Sequence, residues 1–177
     1  MALVSHASLQ GAPDARTRSP GLAAARARLR ATYLHTGATR PPTTARGVHH
    51  VALLCANVQR TIQFYQDLLE FPLTDVFENR DYKGSTHFFF DIGHGNAIAF
   101  FDFPGLDLGA YQEVLGGLHH LALSMEPGQW ERIKAKLDAA GVAYQQIGGS
   151  LYLRDPDGTR LELIRDRLGD MNGKRVV

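Results

Sequence analysis

Gly47-Val-His-His-Val-Ala-Leu53 returns as Gly117-Leu-His-His-Leu-Ala-Leu123, 70 positions later. Five of the seven residues are identical and the other two exchange Val for Leu. Self-similarity at a fixed offset marks a duplicated structural unit. The segments downstream of the two copies agree as well. After the first, Asn57 suits the cap of a helix over 57–70, with Val58, Ile62, Tyr65 and Leu69 at helical spacing. After the second, Pro127 opens a helix over 127–140 with Trp130, Ile133, Leu137 and Ala140 on one stripe, and Gly141 stops it. Three apolar runs complete each copy: 72–77, 86–91 and 96–103, then 143–147, 150–154 and 160–165. Each copy reads as strand, helix and three strands. The expected fold class is α+β, with two βαβββ modules (47–103 and 117–166) joined by a linker over 104–116. Their sheets are expected side by side as one concave mixed sheet, with the helices outside.

Strand alternation assigns side chains to faces. His50, Ala52 and Leu54 oppose Val51 and Leu53; His120, Ala122 and Ser124 oppose Leu121 and Leu123. In Arg160-Leu-Glu-Leu-Ile164, Leu161 and Leu163 share one face and Glu162 takes the other. Alone, Glu162 reads as a solvated side chain on an edge strand. Beside two repeat-related histidines pointing the same way, a metal held by His50, His120 and Glu162 explains all three residues together. His49 and His119 are expected to point away. Six phenylalanines crowd two adjacent strands, and half of them are expected to face the cleft. Phe88, Phe90, Phe101 and Phe103, around Ala99, are the candidate lining of an apolar substrate pocket.

The rest of the chain narrows the function. With 177 residues, 44% hydrophobic and 21% charged, it can bury an ordinary core. No apolar run approaches the roughly 18 residues of a membrane span. Cys55 is the single cysteine, which excludes an internal disulfide and a cysteine-built zinc site and suits a reducing, cytoplasmic setting. Seven arginines and one acid, Asp14, precede Gly47, leaving 12 basic and 17 acidic residues after it. Residues 1–46 read as a basic, Ala-rich extension, partly helical or disordered. Ser19-Pro20 would start its helix and Pro41-Pro42 would stop the run. The composition also fits an organellar import leader. Residues 167–177 read as a tail. A net charge of +1 gives no general pull towards nucleic acid or membrane, so the expected partner is a small molecule.

With these residues in view, the chain resembles the vicinal oxygen chelate superfamily of glyoxalases, antibiotic-resistance proteins and extradiol dioxygenases. The resemblance runs over 47–166. It is carried by His-Val-Ala-Leu (50–53), Phe64-Tyr65 with Leu69-Glu70-Phe71, His-Leu-Ala-Leu (120–123) and Asp-Pro-Asp-Gly…Leu-Glu-Leu (155–163). It implies metal ligands at His50, His120 and Glu162, and Ala99 at the fourth ligand position, where alanine cannot ligate. Two histidines and one carboxylate suit Fe(II) first, with Mn(II), Ni(II) or Zn(II) also compatible. Tyr152, ahead of the Asp-Pro-Asp-Gly segment, matches a tyrosine of the extradiol dioxygenases. Tyr152 and His87 are the candidates for an acid–base role or for supporting the metal ligands. An ordinary strand aromatic explains Tyr152 equally well. The resemblance implies a homodimer and, foremost, a dioxygenase-like enzyme acting on an aromatic or hydrophobic substrate with vicinal oxygens. A glyoxalase-like lyase or isomerase, a thiol transferase and a metal-free drug-binding protein are the alternatives.

Overall fold

The computed structural model describes residues 20–35, 39–171 and 173–177. The chain divides into two units at Arg46 and Gly47. In the first, α1 (Pro20–Tyr33) exposes Arg26, Arg28 and Arg30 together with Leu22, Leu29 and Tyr33. It ends well before Pro41, the expected stop, and the Ser19 cap lies outside the described residues. No helix among the described residues is long and apolar enough to cross a membrane.

The second unit has the α+β class and the two βαβββ modules that the repeat predicts. Module one runs β1 (His50–Leu54), α2 (Val58–Ile62), β2 (Leu73–Glu78), β3 (Thr86–Asp91) and β4 (Ala97–Phe101). Module two runs β5 (Leu121–Ser124), α3 (Pro127–Ala139), β6 (Tyr144–Ile147), β7 (Ser150–Arg154) and β8 (Arg160–Ile164). Asn57 caps α2 as its position predicts, its side chain accepting from the Arg60 amide at 2.9 Å. Residues Gln63–Leu68 then widen into a π-helical stretch that the spacing did not reveal. The tail forms a small antiparallel pair, β9 (Asp170–Met171) with β10 (Lys174–Arg175).

The sheets have matching orders, β1-β4-β3-β2 and β5-β8-β7-β6. The first strand of each module pairs parallel to its last, and the other pairs are antiparallel. One face of each sheet packs into a single apolar core containing Tyr65, Phe88, Phe90 and Phe100 with Trp130, Leu137 and Leu163. Trp130 donates its indole N–H to the Leu163 carbonyl at 2.9 Å, so its polar atom is satisfied in that core.

Among the described residues no strand of one sheet pairs with a strand of the other within one chain. The side-by-side sheets expected from the repeat are therefore not joined inside a single molecule. The modules meet through their helical sides instead. Lys136 on α3 reaches the Asp67 carbonyl (2.5 Å) and Glu70 (3.1 Å), and Arg132 also pairs with Glu70. Arg60 pairs with Asp157 at 2.6 Å, and the Tyr65 hydroxyl donates to Asp155 at 3.0 Å. This leaves β1 and β5 as sheet edges, with their histidine-bearing faces turned away from the core.

Candidate metal centre

Glu162 sits in the middle of β8, with Leu161 and Leu163 anchored in the core on either side. It is only 6% exposed, not the solvated edge carboxylate that its strand alone suggests. Its Oε1 accepts from the Ser150 hydroxyl at 2.5 Å and from the Tyr152 hydroxyl at 2.8 Å. Oε2 lies 3.1 Å from Nε2 of His120. A buried carboxylate requires such partners. Neighbouring elements supply them: the residue just before β5 is the histidine, β7 gives the two hydroxyls and β8 the acid. Burial and the contact with Glu162 push the Tyr152 phenol above its ordinary value, so at neutral pH it holds its proton and donates it.

The 3.1 Å between His120 Nε2 and Glu162 Oε2 suits two donors sharing one ion. Ligand bonds of about 2.1 Å at right angles leave donor atoms about 3 Å apart. A nitrogen and a carboxylate oxygen fit Mn(II), Fe(II), Ni(II) or Zn(II). His50, the third expected ligand, belongs to the other sheet. Among the described residues no three histidine, cysteine, aspartate or glutamate side chains converge as a metal-holding group. One chain brings together His120, Glu162 and Tyr152, and leaves His50 and His87 apart from them.

Register explains what module one contributes. Ala122 pairs with Glu162 across β5 and β8, and its repeat equivalent Ala52 pairs with Ala99 across β1 and β4. Ala99 therefore occupies the place of Glu162. One strand further, Tyr152 pairs with Glu162 where Phe89 pairs with Ala99. The carboxylate and phenol of one module are methyl and phenyl in the other. Around Ala99, His87 stacks on Phe101 with ring centroids 3.7 Å apart and planes 7° apart. Phe89 and Phe77 stand edge-on to His87 at 4.3 and 5.2 Å. His87 Nδ1 lies 3.0 Å from the Phe100 carbonyl, which can only accept, so Nδ1 carries the proton. Phe103 stacks on Phe101 at 6.1 Å.

Two candidate pocket residues lie elsewhere. Phe88 and Phe90 are 0% exposed and pack on the helix-covered side against Phe100 and Tyr65. Strand alternation forces this: on the face of Ala99, β3 presents His87 and Phe89. The open face is thus lined by Phe77, Phe89 and Phe101, of which the first two were missed. The alternation Ser150, Tyr152, Arg154 along β7 carries the signal for Ser150, also missed. Arg154 and Arg160 both face Glu113 of the linker, at 3.2 and 3.9 Å. Burial pushes the Cys55 thiol up to about 12, so the chain's one cysteine carries no thiolate at neutral pH.

Known proteins resemble this chain in sequence and in fold. The metallothiol transferase FosB of Shouchella clausii is 28% identical over 126 residues, covering 66% of this chain and 78% of that protein. A glyoxylase/bleomycin resistance protein/dioxygenase domain from Frankia sp. EAN1pec superposes with a TM-score of 0.60 at 23% identity, over 70% of this chain and all of that one. The fosfomycin resistance protein FosX of Listeria monocytogenes, solved with Mn(II) and sulfate, gives 0.55 at 21% identity, over 71% of this chain and 96% of that one. The profile of the Glyoxalase/Bleomycin resistance protein/Dioxygenase superfamily matches residues 47–163, and the chain belongs to that superfamily.

Proposed function

We propose that the protein is a divalent-metal-dependent enzyme that binds a small apolar or aromatic molecule through two neighbouring oxygens and promotes addition of a thiol to it. The His120–Glu162 pair, held by Ser150 and Tyr152, carries this reading. An ion bound there supplies Lewis acidity and a template for the two oxygens and, were it iron, reactivity towards dioxygen. Ser150 and Tyr152 fix the carboxylate. Strands β1 to β4 contain no lysine or arginine, so the module-one wall offers the rings of Phe77, Phe89 and Phe101 to the substrate body, with Asp75 and Asp91 as the only charged residues of that face in these strands. The likeness to a metallothiol transferase favours thiol addition. Because Cys55 is buried and protonated, the thiol comes from a second substrate.

The third ligand is His50 of a second copy. Edges β1 and β5 are unpaired within the chain, and Leu54 (48% exposed) and Phe77 (43% exposed) stand bare on the face of His50. A homodimer that sets β1 of one copy beside β5 of the other covers this surface and brings the three ligands together.

Oxygenative cleavage of an aromatic substrate is the second reading, favoured by the Phe77–Phe89–Phe101 wall and by the Tyr152 hydroxyl beside Glu162. Metal analysis of protein purified anaerobically, wild type beside Glu162→Ala, separates the cases. Manganese, nickel or zinc, near one per chain and lost in the variant, is expected and leads to thiol-consumption assays. Iron leads to oxygen-uptake assays with catechols. A wild type that holds no metal after reconstitution sinks both enzyme readings and leaves hydrophobic-drug binding to be measured.

A further inference from the structure

Each repeat carries a histidine doublet, and the donor set uses one histidine of each. The other does not point away as alternation predicts. His119 Nδ1 lies 2.6 Å from His120 Nδ1, and His49 Nδ1 lies 2.8 Å from His50 Nδ1. The rings cross at 72° and 74°, with centroids 4.9 and 5.1 Å apart. The geometry is the same in both copies although the surroundings differ: His120 stands beside Tyr152 and His50 beside Phe89.

A contact of that length between two ring nitrogens holds one proton. Two bare lone pairs would repel and two N–H groups would collide, so one ring donates and the other accepts. In His120 the second nitrogen, Nε2, is the one that faces Glu162. A neutral imidazole ligates through its bare nitrogen and carries its proton on the other. For His120 the proton then sits on Nδ1, and the acceptor it meets is Nδ1 of His119.

We propose that His119 and His49 are positioning residues, each accepting the Nδ1–H of the ligand that comes next in the chain. The bond fixes the ring's orientation and tautomer and leaves Nε2 bare towards the ion. Outer hydrogen bonds of this kind are a general support of metal-ligating histidines. Here the support is supplied by the preceding residue, and the repeat supplies it twice. This assignment rests on the metal reading proposed for the site.

The test is Zn(II) and Mn(II) affinity of the full chain, by competition with a chelator, for wild type, His119→Ala, His119→Asn and His49→Ala. Loss of the acceptor is expected to weaken binding by about 10- to 100-fold in both alanine variants. His119→Asn keeps an acceptor oxygen and is expected to recover most of that loss. In zinc-loaded, 15N-labelled protein the His120 Nδ1–H is expected to exchange slowly in wild type and rapidly in His119→Ala. Alanine variants that bind metal like wild type overturn the proposal. So does an asparagine variant as weak as alanine at an unchanged melting temperature. If the wild type binds neither metal, the metal reading itself has failed; if it binds and only the variants disagree, the positioning role alone falls.

Discussion

At the scale of the residue, Asp155 shows how one side chain joins the modules. Its carboxylate accepts from the Tyr65 hydroxyl (3.0 Å), the Asp157 amide (3.0 Å) and the Thr159 amide (2.8 Å) while nearly buried. Burial raises its pKa above the ordinary carboxylate range, against the lowering by these bonds. The folded state therefore holds this proton more tightly than the unfolded chain. The group's contribution to stability grows as pH falls from neutral towards the unfolded value of about 4, and is lost as pH rises through the folded pKa. Asp155→Asn turns an N–H towards Tyr65 and is expected to cost about 1–3 kcal/mol at pH 7. The gap between wild type and variant is expected to widen at pH 4.5, as urea denaturation at the two pH values would show. A constant gap would mean that the carboxylate does not titrate in that window. Residues at this scale were partly legible. The pairing of His120 with Glu162 is predictable from alternation along single strands. Ser150 shares the face of Tyr152 along β7, so alternation places it on the right side, but its bond to Glu162 also depends on how two antiparallel strands are set side by side, which neither strand states alone.

At the scale of the element, β3 and β4 carry phenylalanine on both faces, which hid the direction of each ring. Where every other residue is polar, alternation announces the buried side. In Thr86-His-Phe-Phe-Phe-Asp91 it does not. The structure separates the rings. Phe100 stacks with Phe88 at 5.5 Å and tilts against Tyr65 at 4.9 Å in the core, whereas Phe101 lies on the open face against His87. Phe100→Ala is expected to cost about 3–5 kcal/mol of stability, the usual range for a buried aromatic. Phe101→Ala is expected to cost less than half as much while weakening the binding of aromatic ligands. Chemical denaturation of the two variants checks the assignment, and equal losses would refute it. The strands themselves were readable, 86–91 and 150–154 to the residue. The π-helical stretch was not, because Val58, Ile62, Tyr65 and Leu69 keep α-helical spacing through it.

At the scale of the whole molecule, the duplicated unit announced the fold, but the way its halves meet lay beyond the sequence. Apolar faces show that two modules must pack together without saying which sides do. Helical sides joined within the chain, and outer edges of β1 and β5 left unpaired, lead to a prediction that tests the proposed dimer directly. His50→Ala and Glu162→Ala chains, each metal-free alone, are expected to recover about one quarter of the wild-type metal when unfolded together and refolded as a mixture. Half of the dimers are then mixed, and one of their two sites is intact. Metal measured after refolding decides the matter: no recovery would place the whole site within one chain.

The pairing of Ala99 opposite Ala52, where Glu162 lies opposite Ala122, has a consequence for how such a cleft diversifies. A ring of identical single modules would present the same side chains on both walls, and every substitution would strike both at once. Two modules encoded in one chain break that symmetry. One wall can keep the acid while the other trades it for a methyl group and surrounds it with rings. Joining two copies in one gene thus gives two surfaces that can change independently, and the difference between Ala99 and Glu162 at equivalent positions is the mark of that freedom in this chain.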